Sequence, residues 1–340
     1  MELHSLTSLK RATQAGRVEA KVHVQIEAIA KKETREQKPY WELIVADAES
    51  KMTLRAWSDS PGYKQCDELA QGGFLEIAGE FASSQFGVEA KRWTCRSLST
   101  AERDALLAGP AELREKQRAD CEYISQQASA LHDPRLKSLT ASFFSEFGER
   151  FKRTAAARTY HHARRGGLVE HVAQMLRAAN ALANVYSELN RDLLAAGVIF
   201  HDCGKLWENA LPENGFAMPY NERGEMIGHI TIGAEVVNAL WRKLDLAPWS
   251  ELKPASEDVR LHLLHLIASH HGAREFGSPV DPKTPEAFAL HHIDNLDAKL
   301  EMLAAAYENA SLIAPGIFER VRPLPGPIIS ALAPVVSASE

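Results

Sequence analysis

The chain has 340 residues, more than the ~250–300 that a single hydrophobic core usually holds, so two or three domains are expected. Apolar residues make up 45% and charged residues 25%, which excludes a disordered, collagen-like or disulfide-scaffold chain. A net charge of −6 argues against tight duplex binding, yet leaves room for a nucleic-acid enzyme with a local positive groove and acidic metal ligands. No apolar run approaches the ~18–20 residues of a membrane span, and MELHSLTSLKRATQAG has no apolar signal core. Cys66, Cys95, Cys121 and Cys203 are scattered with no CxxC, and read as free thiols of a reducing cytoplasm.

In chain order, residues 16–98 read as β. Val18, Ala20, Val22, Val24 and Ile26 alternate with polar neighbours, the period-2 pattern of a half-buried strand. Further strands are expected over 39–48, 52–57, 72–81 and 88–98, with a short helix over 61–71 after Pro61-Gly62. Five strands with a helix between the third and fourth is the order of an OB-fold barrel, assigned to 15–99. A helical connector follows over 100–155, interrupted at Asp133-Pro134. The region 156–312 reads as all-helical, with helices over 167–189, 191–204, 226–244, 257–272 and 286–310. A Pro-rich tail, 313–340, is expected to wrap the surface. The expected class is therefore α+β, an N-terminal five-stranded OB-fold barrel followed by an all-α domain.

Eleven of the fourteen histidines fall between His161 and His292. Within that stretch runs an ordered series: His171, His201-Asp202, His229, His270-His271 and Asp294. Each member lies on or near the end of a mostly apolar predicted helix, where a polar group is costly unless paired. An adjacent His-Asp pair in a buried helix is hard to explain by packing. Imidazoles and carboxylates suit Mn, Fe, Zn, Co or Ni, and coordination would satisfy several of these groups at once. Asp202 has two oxygens and is the natural bridge between two ions. Such a pair suits hydrolysis of a phosphate ester.

The order H…HD…H…H…D resembles the HD-domain metallophosphohydrolases. YHHARRGGLVEH (160–171), LLAAGVIFHDCGK (193–205), GHITIG (228–233), ASHHGAREFGSPV (268–280) and ALHHIDNLDAK (289–299), with KPYWELIVAD (38–47) ahead of them, resemble the YhaM-type 3′–5′ exoribonucleases. The resemblance covers about 15–310 and implies an OB domain joined to an HD domain. It implies that His171, His201, Asp202 and Asp294 hold one ion, and that Asp202, His229 and His270 serve a second, with His271 competing for that role. Manganese is the implied ion, in one or two copies. Lys205 occupies the HDxGK position and is expected to act on a phosphate oxygen or leaving group beside Asp202. His161 and His162 match a family His pair and, with Ser278, are candidate substrate contacts. His291 is a candidate outer partner of the centre. Asp297 shares the face of Asp294, and the motif favours Asp294 as ligand.

In the β region, Tyr40, Trp41, Trp57, Phe86 and Trp93 accompany Lys38, Arg55 and other cations. Tyr40, Trp41, Trp57, Lys38 and Arg55 are the candidate single-strand contacts, because bases stack on aromatic rings. With twelve Lys and Arg against thirteen Asp and Glu over 16–99, the region should tether a strand weakly. The expected activity is metal-dependent 3′–5′ hydrolysis of single-stranded RNA, and of single-stranded DNA as a second substrate, to nucleoside monophosphates. A cytoplasmic location, no membrane partner and a homo-oligomer complete the expectation. Two alternatives stay open: an HD-type nucleotide or cyclic-dinucleotide phosphohydrolase, and a non-catalytic strand-binding regulator.

Overall fold

The β-branched and alternating apolar residues of the first hundred positions form one sheet. A computed structural model describes residues 1–84, 87–159 and 162–332. Its first elements are β1 (Glu2–His4), α1 (Leu6–Gln14), β2 (Val18–Glu33), β3 (Pro39–Ala46), β4 (Lys51–Trp57), α2 (Gly62–Gln65), β5 (Phe74–Ser84) and β6 (Gly87–Ser97). The order across the sheet is β4-β3-β2-β5-β6, antiparallel throughout, with β1 added in parallel to β2. Val22, Val24, Leu43, Val45, Leu54, Ile77, Phe81 and Trp93 form its core. Ladder shifts at Ile26/Ala28 and Ala78/Glu80 bend the long strands.

Two features differ from expectation. The sheet has six strands, since the N-terminal segment supplies β1, and it does not close into a barrel among the described residues. β4 and β6 approach each other without a ladder. The segment around α2 packs against both strands. Gln65 Oε1 accepts the amide N–H of Cys95 at 3.1 Å, so a side chain engages this β6 donor. Gly62 packs against the Trp93 ring, where a Cβ would come within 2.7 Å.

The rest is helical: α3 (Thr100–Ala108), α4 (Ala111–Ala130), α5 (Pro134–Arg153), α6 (Gly167–Val185), α7 (Arg191–Phe200), α8 (Lys205–Glu208), α9 (Glu222–Trp241), α10 (Ser256–Ser269) and α11 (Pro285–Asn309). The predicted break at Asp133-Pro134 is a helix start, with Asp133 as the N-cap of α5 and Pro134 in its first turn. One core of leucines, valines and phenylalanines from α4 to α11 holds these helices together. The tail is more ordered than expected. β7 (Leu312–Ala314), β8 (Ile317–Phe318) and β9 (Ile328–Ile329) form a small antiparallel sheet, packed through Leu324 and Ile328 on Ala306 of α11.

Sheet and helices meet at a small apolar cluster, Ala46, Ala48, Ala155, Leu211 and Phe216. Gln25, buried in β2, accepts the Phe216 amide N–H at 2.6 Å. No helix among the described residues is long and apolar enough to cross a membrane.

Candidate metal centre

Glycines let the helix ends converge. A Cβ at Gly167 would lie 1.9 Å from the His162 carbonyl, so only glycine lets the preceding loop fold against the start of α6, one turn before His171. α7 is almost wholly apolar and buried, and delivers His201 and Asp202 at its C-terminal end. A Cβ at Gly204 would fall 1.9 Å from the His229 carbonyl, so α8 and α9 touch backbone to backbone there. Gly228, at φ +68°, kinks α9 immediately before His229 and turns that residue inward. His270 follows the last turn of α10, and Asp294 and Asp297 lie on one face of α11.

These five stretches bring their side chains together. His171 Nε2 lies 3.3 Å from His201 Nε2 and 3.3 Å from Asp294 Oδ1. Asp202 Oδ2 is 3.3 Å from His201 Nε2 and 3.8 Å from His171 Nε2. The other oxygen, Oδ1, faces His229 Nε2 at 3.5 Å and His270 Nε2 at 3.6 Å. His229, His270 and His271 form a second group whose nitrogens lie within 4.8 Å of one another. Asp202 thus stands between two ligand sets, one oxygen toward each.

The opposite ring nitrogens are all engaged. His171 Nδ1 bonds Asp297 Oδ2 at 2.7 Å, and His229 Nδ1 bonds Glu208 Oε2 at 2.9 Å. His201 and His270 donate Nδ1–H to the carbonyls of Val198 and Ile267, each at 2.8 Å. His271 donates to the Phe276 carbonyl at 2.8 Å, and His291 to the His270 carbonyl at 2.9 Å. Such bonds fix the tautomer, leaving an Nε2 lone pair for the centre.

Burial and neighbouring charge compete here. Burial opposes the charged form of His171, but the carboxylates of Asp294 and Asp297 outweigh it and push the imidazole up to about 9. Burial also disfavours the Asp202 anion, yet Lys205 and His201 hold it well below the usual carboxylate range. Lys205 Nζ sits 2.6 Å from Asp202 Oδ2. Burial, reinforced by His270, pushes His271 down to about 4.

A cation fits this donor set. Asp202 Oδ1, His229 Nε2 and His270 Nε2 are fully buried and have no hydrogen-bond partner among the described residues. Buried polar atoms are rarely left so, and three converging ones form a ligand set. Asp202 with His229 and His270 on one side, and with His171, His201 and Asp294 on the other, could hold a divalent ion each.

The remaining sequence candidates are dispersed. His162 joins the edge of the centre, its Nε2 3.1 Å from Asp297 Oδ2, whereas His161 lies outside the described residues. Ser278 is buried in the loop after His271 and its Oγ has no hydrogen-bond partner among the described residues. Tyr40 and Trp57 pair across β3 and β4 with ring centroids 4.8 Å apart. Trp41 lies under the Lys31 ammonium, Lys38 pairs with Glu36 and Arg55 with Glu42. Trp93 is core, and Phe86 lies outside the described residues. Tyr40, Trp41, Trp57, Lys38 and Arg55 cluster at the end of the β3–β4 hairpin opposite its turn at 47–50. Sequence reasoning missed Glu208 and left Asp297 without a role; the one available signal was a carboxylate near a ligand in sequence.

The HD domain model matches residues 168–299. A 3′–5′ exoribonuclease YhaM from Geobacillus sp. (strain WCH70) is 32% identical over 88% of this chain and 88% of its own. Those of Bacillus licheniformis and Bacillus subtilis (strain 168) are each 34% identical over 84% of this chain and 85% of theirs. Similarity of that extent takes in the sheet as well as the helices, and the chain belongs to the YhaM family of HD-domain 3′–5′ exoribonucleases.

Proposed function

We propose that this protein is a divalent-metal-dependent 3′–5′ exonuclease that hydrolyses single-stranded RNA to nucleoside monophosphates, with manganese as its ion and single-stranded DNA as a second substrate. The relatives named as exoribonucleases support the reaction class. The observation that carries the mechanism is the set of three buried, unpartnered atoms on Asp202, His229 and His270. In this reading His171, His201, Asp202 and Asp294 hold one ion. Asp202, His229 and His270 hold the other, and His271 stands beside them. Bound there, the ions lower the pKa of a water and offset charge on the phosphoryl oxygens.

The protein's own groups do the rest. Asp297 and Glu208 orient His171 and His229. Lys205 keeps Asp202 ionised and presents an ammonium beside the reacting phosphate. Tyr40, Trp41 and Trp57, with Lys38 and Arg55, tether the strand on the sheet. All four cysteines are free, which fits action in the cytoplasm.

The test is gel-resolved digestion of 5′-labelled and 3′-labelled single-stranded RNA with Mn²⁺, comparing wild type with Asp202→Ala. A ladder that shortens from the 3′ end and is absent in the variant is expected. Cleavage confined to mononucleotides or cyclic dinucleotides, or binding with no turnover, would overturn the reading.

A further inference from the structure

A polar cleft of about 500 Å³ separates the sheet from the helices. Its walls are α1, the β3–β4 turn, residues 158–159 and 162–164, and the last turns of α11. It adjoins the metal centre: His162 lines it and bonds the same Asp297 oxygen that holds His171. The α11 face that carries Asp294 and Asp297 continues into the cleft at Glu301 and Ala304, about 10 and 15 Å along the axis from Asp294.

The charges in the cleft are unevenly satisfied. Glu301 is bonded by Arg164 at 3.1 Å, and Glu308 by Arg11. Glu49 is the third carboxylate of the lining. Against these stand two cations with no carboxylate in ion-pair reach among the described residues. Lys10, half-buried, donates from Nζ to Ser50 Oγ at 2.7 Å. Arg158 is held rigidly by backbone carbonyls, at 2.9 Å from Glu208 O and Pro219 O and 3.3 Å from Met218 O. Tyr220, 79% exposed and not itself part of the cleft lining, lies with its ring 4.4 Å from the Arg158 guanidinium.

We propose that this cleft is a phosphate-binding subsite for single-stranded RNA, holding the backbone a few nucleotides 5′ of the scissile bond between Lys10 and Arg158. Tyr220 stacks on a base of the same stretch. The subsite rests on the exoribonuclease reading and gives the strand a path from the metal centre to the sheet. A phosphate there gives each cation a direct anionic contact that no described carboxylate makes, Asp47 and Glu308 acting on Lys10 only from beyond ion-pair distance, and a substrate as short as a dinucleotide does not reach it.

The experiment measures binding of a long single-stranded RNA by fluorescence anisotropy across a salt series, and kcat/KM for that RNA and for a dinucleotide. Lys10→Met should reduce the slope of log Kd against log salt by about 0.7. It should also lower the ratio of kcat/KM for long RNA over dinucleotide by about tenfold. Lys10→Arg should restore both. Tyr220→Ala, at an exposed position, should weaken long-RNA binding about tenfold without changing the slope, and reads the subsite even if Lys10→Met melts early. A wild-type salt slope and length preference in Lys10→Met, or unchanged binding in Tyr220→Ala, would overturn the subsite. A wild type that digests no RNA would instead strike the exoribonuclease reading.

Discussion

Each imidazole of the centre is aimed by what its far nitrogen touches. Glu208→Gln exchanges a charged acceptor for a neutral one at His229 Nδ1. Outer partners of this kind are worth about 10–100-fold in metal affinity. Titration calorimetry of the variant should show one ion weakened by that factor and the other, on the His171 side, retained. Two ions bound as in the wild type would dismiss Glu208 as an orienting group. The spacing of histidines and aspartates was enough to find the ligand candidates, because their residue types on apolar helices are costly without a shared partner. Glu208 was not legible: whether a carboxylate meets Nδ1 depends on the kink at Gly228, which sequence spacing does not encode. A second residue-scale test lies far from the centre. Arg135 is buried, and Asp133 bonds its Nε at 2.9 Å and Nη2 at 2.7 Å. Burial raises the Asp133 pKa, but Arg135 and the helix N-terminus outweigh it and hold the carboxyl below its ordinary value. The stability from this bond is therefore present above the unfolded pKa of ~3.9 and lost as pH falls through the lower folded value. Asp133→Asn should cost about 3 kcal/mol at neutral pH, since Arg135 loses its buried counter-charge. Urea denaturation should show the two proteins converging in acid; parallel pH profiles would refute this.

Among elements, α8 and α9 meet backbone to backbone. The Gly204 Cα faces the His229 carbonyl so closely that any side chain must drive the backbones apart. Gly204→Ala should destabilise by about 1–3 kcal/mol, and its displaced His229 should lower bound metal in elemental analysis. A variant with wild-type melting and metal content would show that the helices can slide without harm. The same scale shows where pattern reading ends. Alternation over 18–29 gave β2 because one face of that strand is buried, and the long apolar helices were plain for a similar reason. The open sheet was not visible, since contacts such as Gln65 to the Cys95 amide join residues thirty positions apart with no pattern to mark them. β1, β8 and β9 are two or three residues each, too short for any periodicity to register.

For the whole molecule, the join between sheet and helices matters as much as either part. Phe216 is buried at that join and its amide is tied to Gln25. Phe216→Ala should remove about 3–5 kcal/mol from the junction. The expected signature is a split denaturation profile, with circular dichroism and tryptophan fluorescence no longer coincident. A single shared transition would mean that the two parts remain coupled without this residue. The α+β class was readable from composition shifts along the chain, while this junction was not. Leu211 and Phe216 sit in a loop with Pro212, Gly215 and Pro219, where sequence gives no sign of which surface they will cover.

α11 runs unbroken for 25 residues and is touched by three parties: the ligand cluster near its first half, α1 toward its end, and the tail strands beyond. A helix of that length behaves as a stiff lever. The tilt of Asp294 is then set partly by packing many ångströms away, at Ala306 and Glu308. Substitution at those remote positions can therefore shift Asp294 relative to His171 while both residues stay the same.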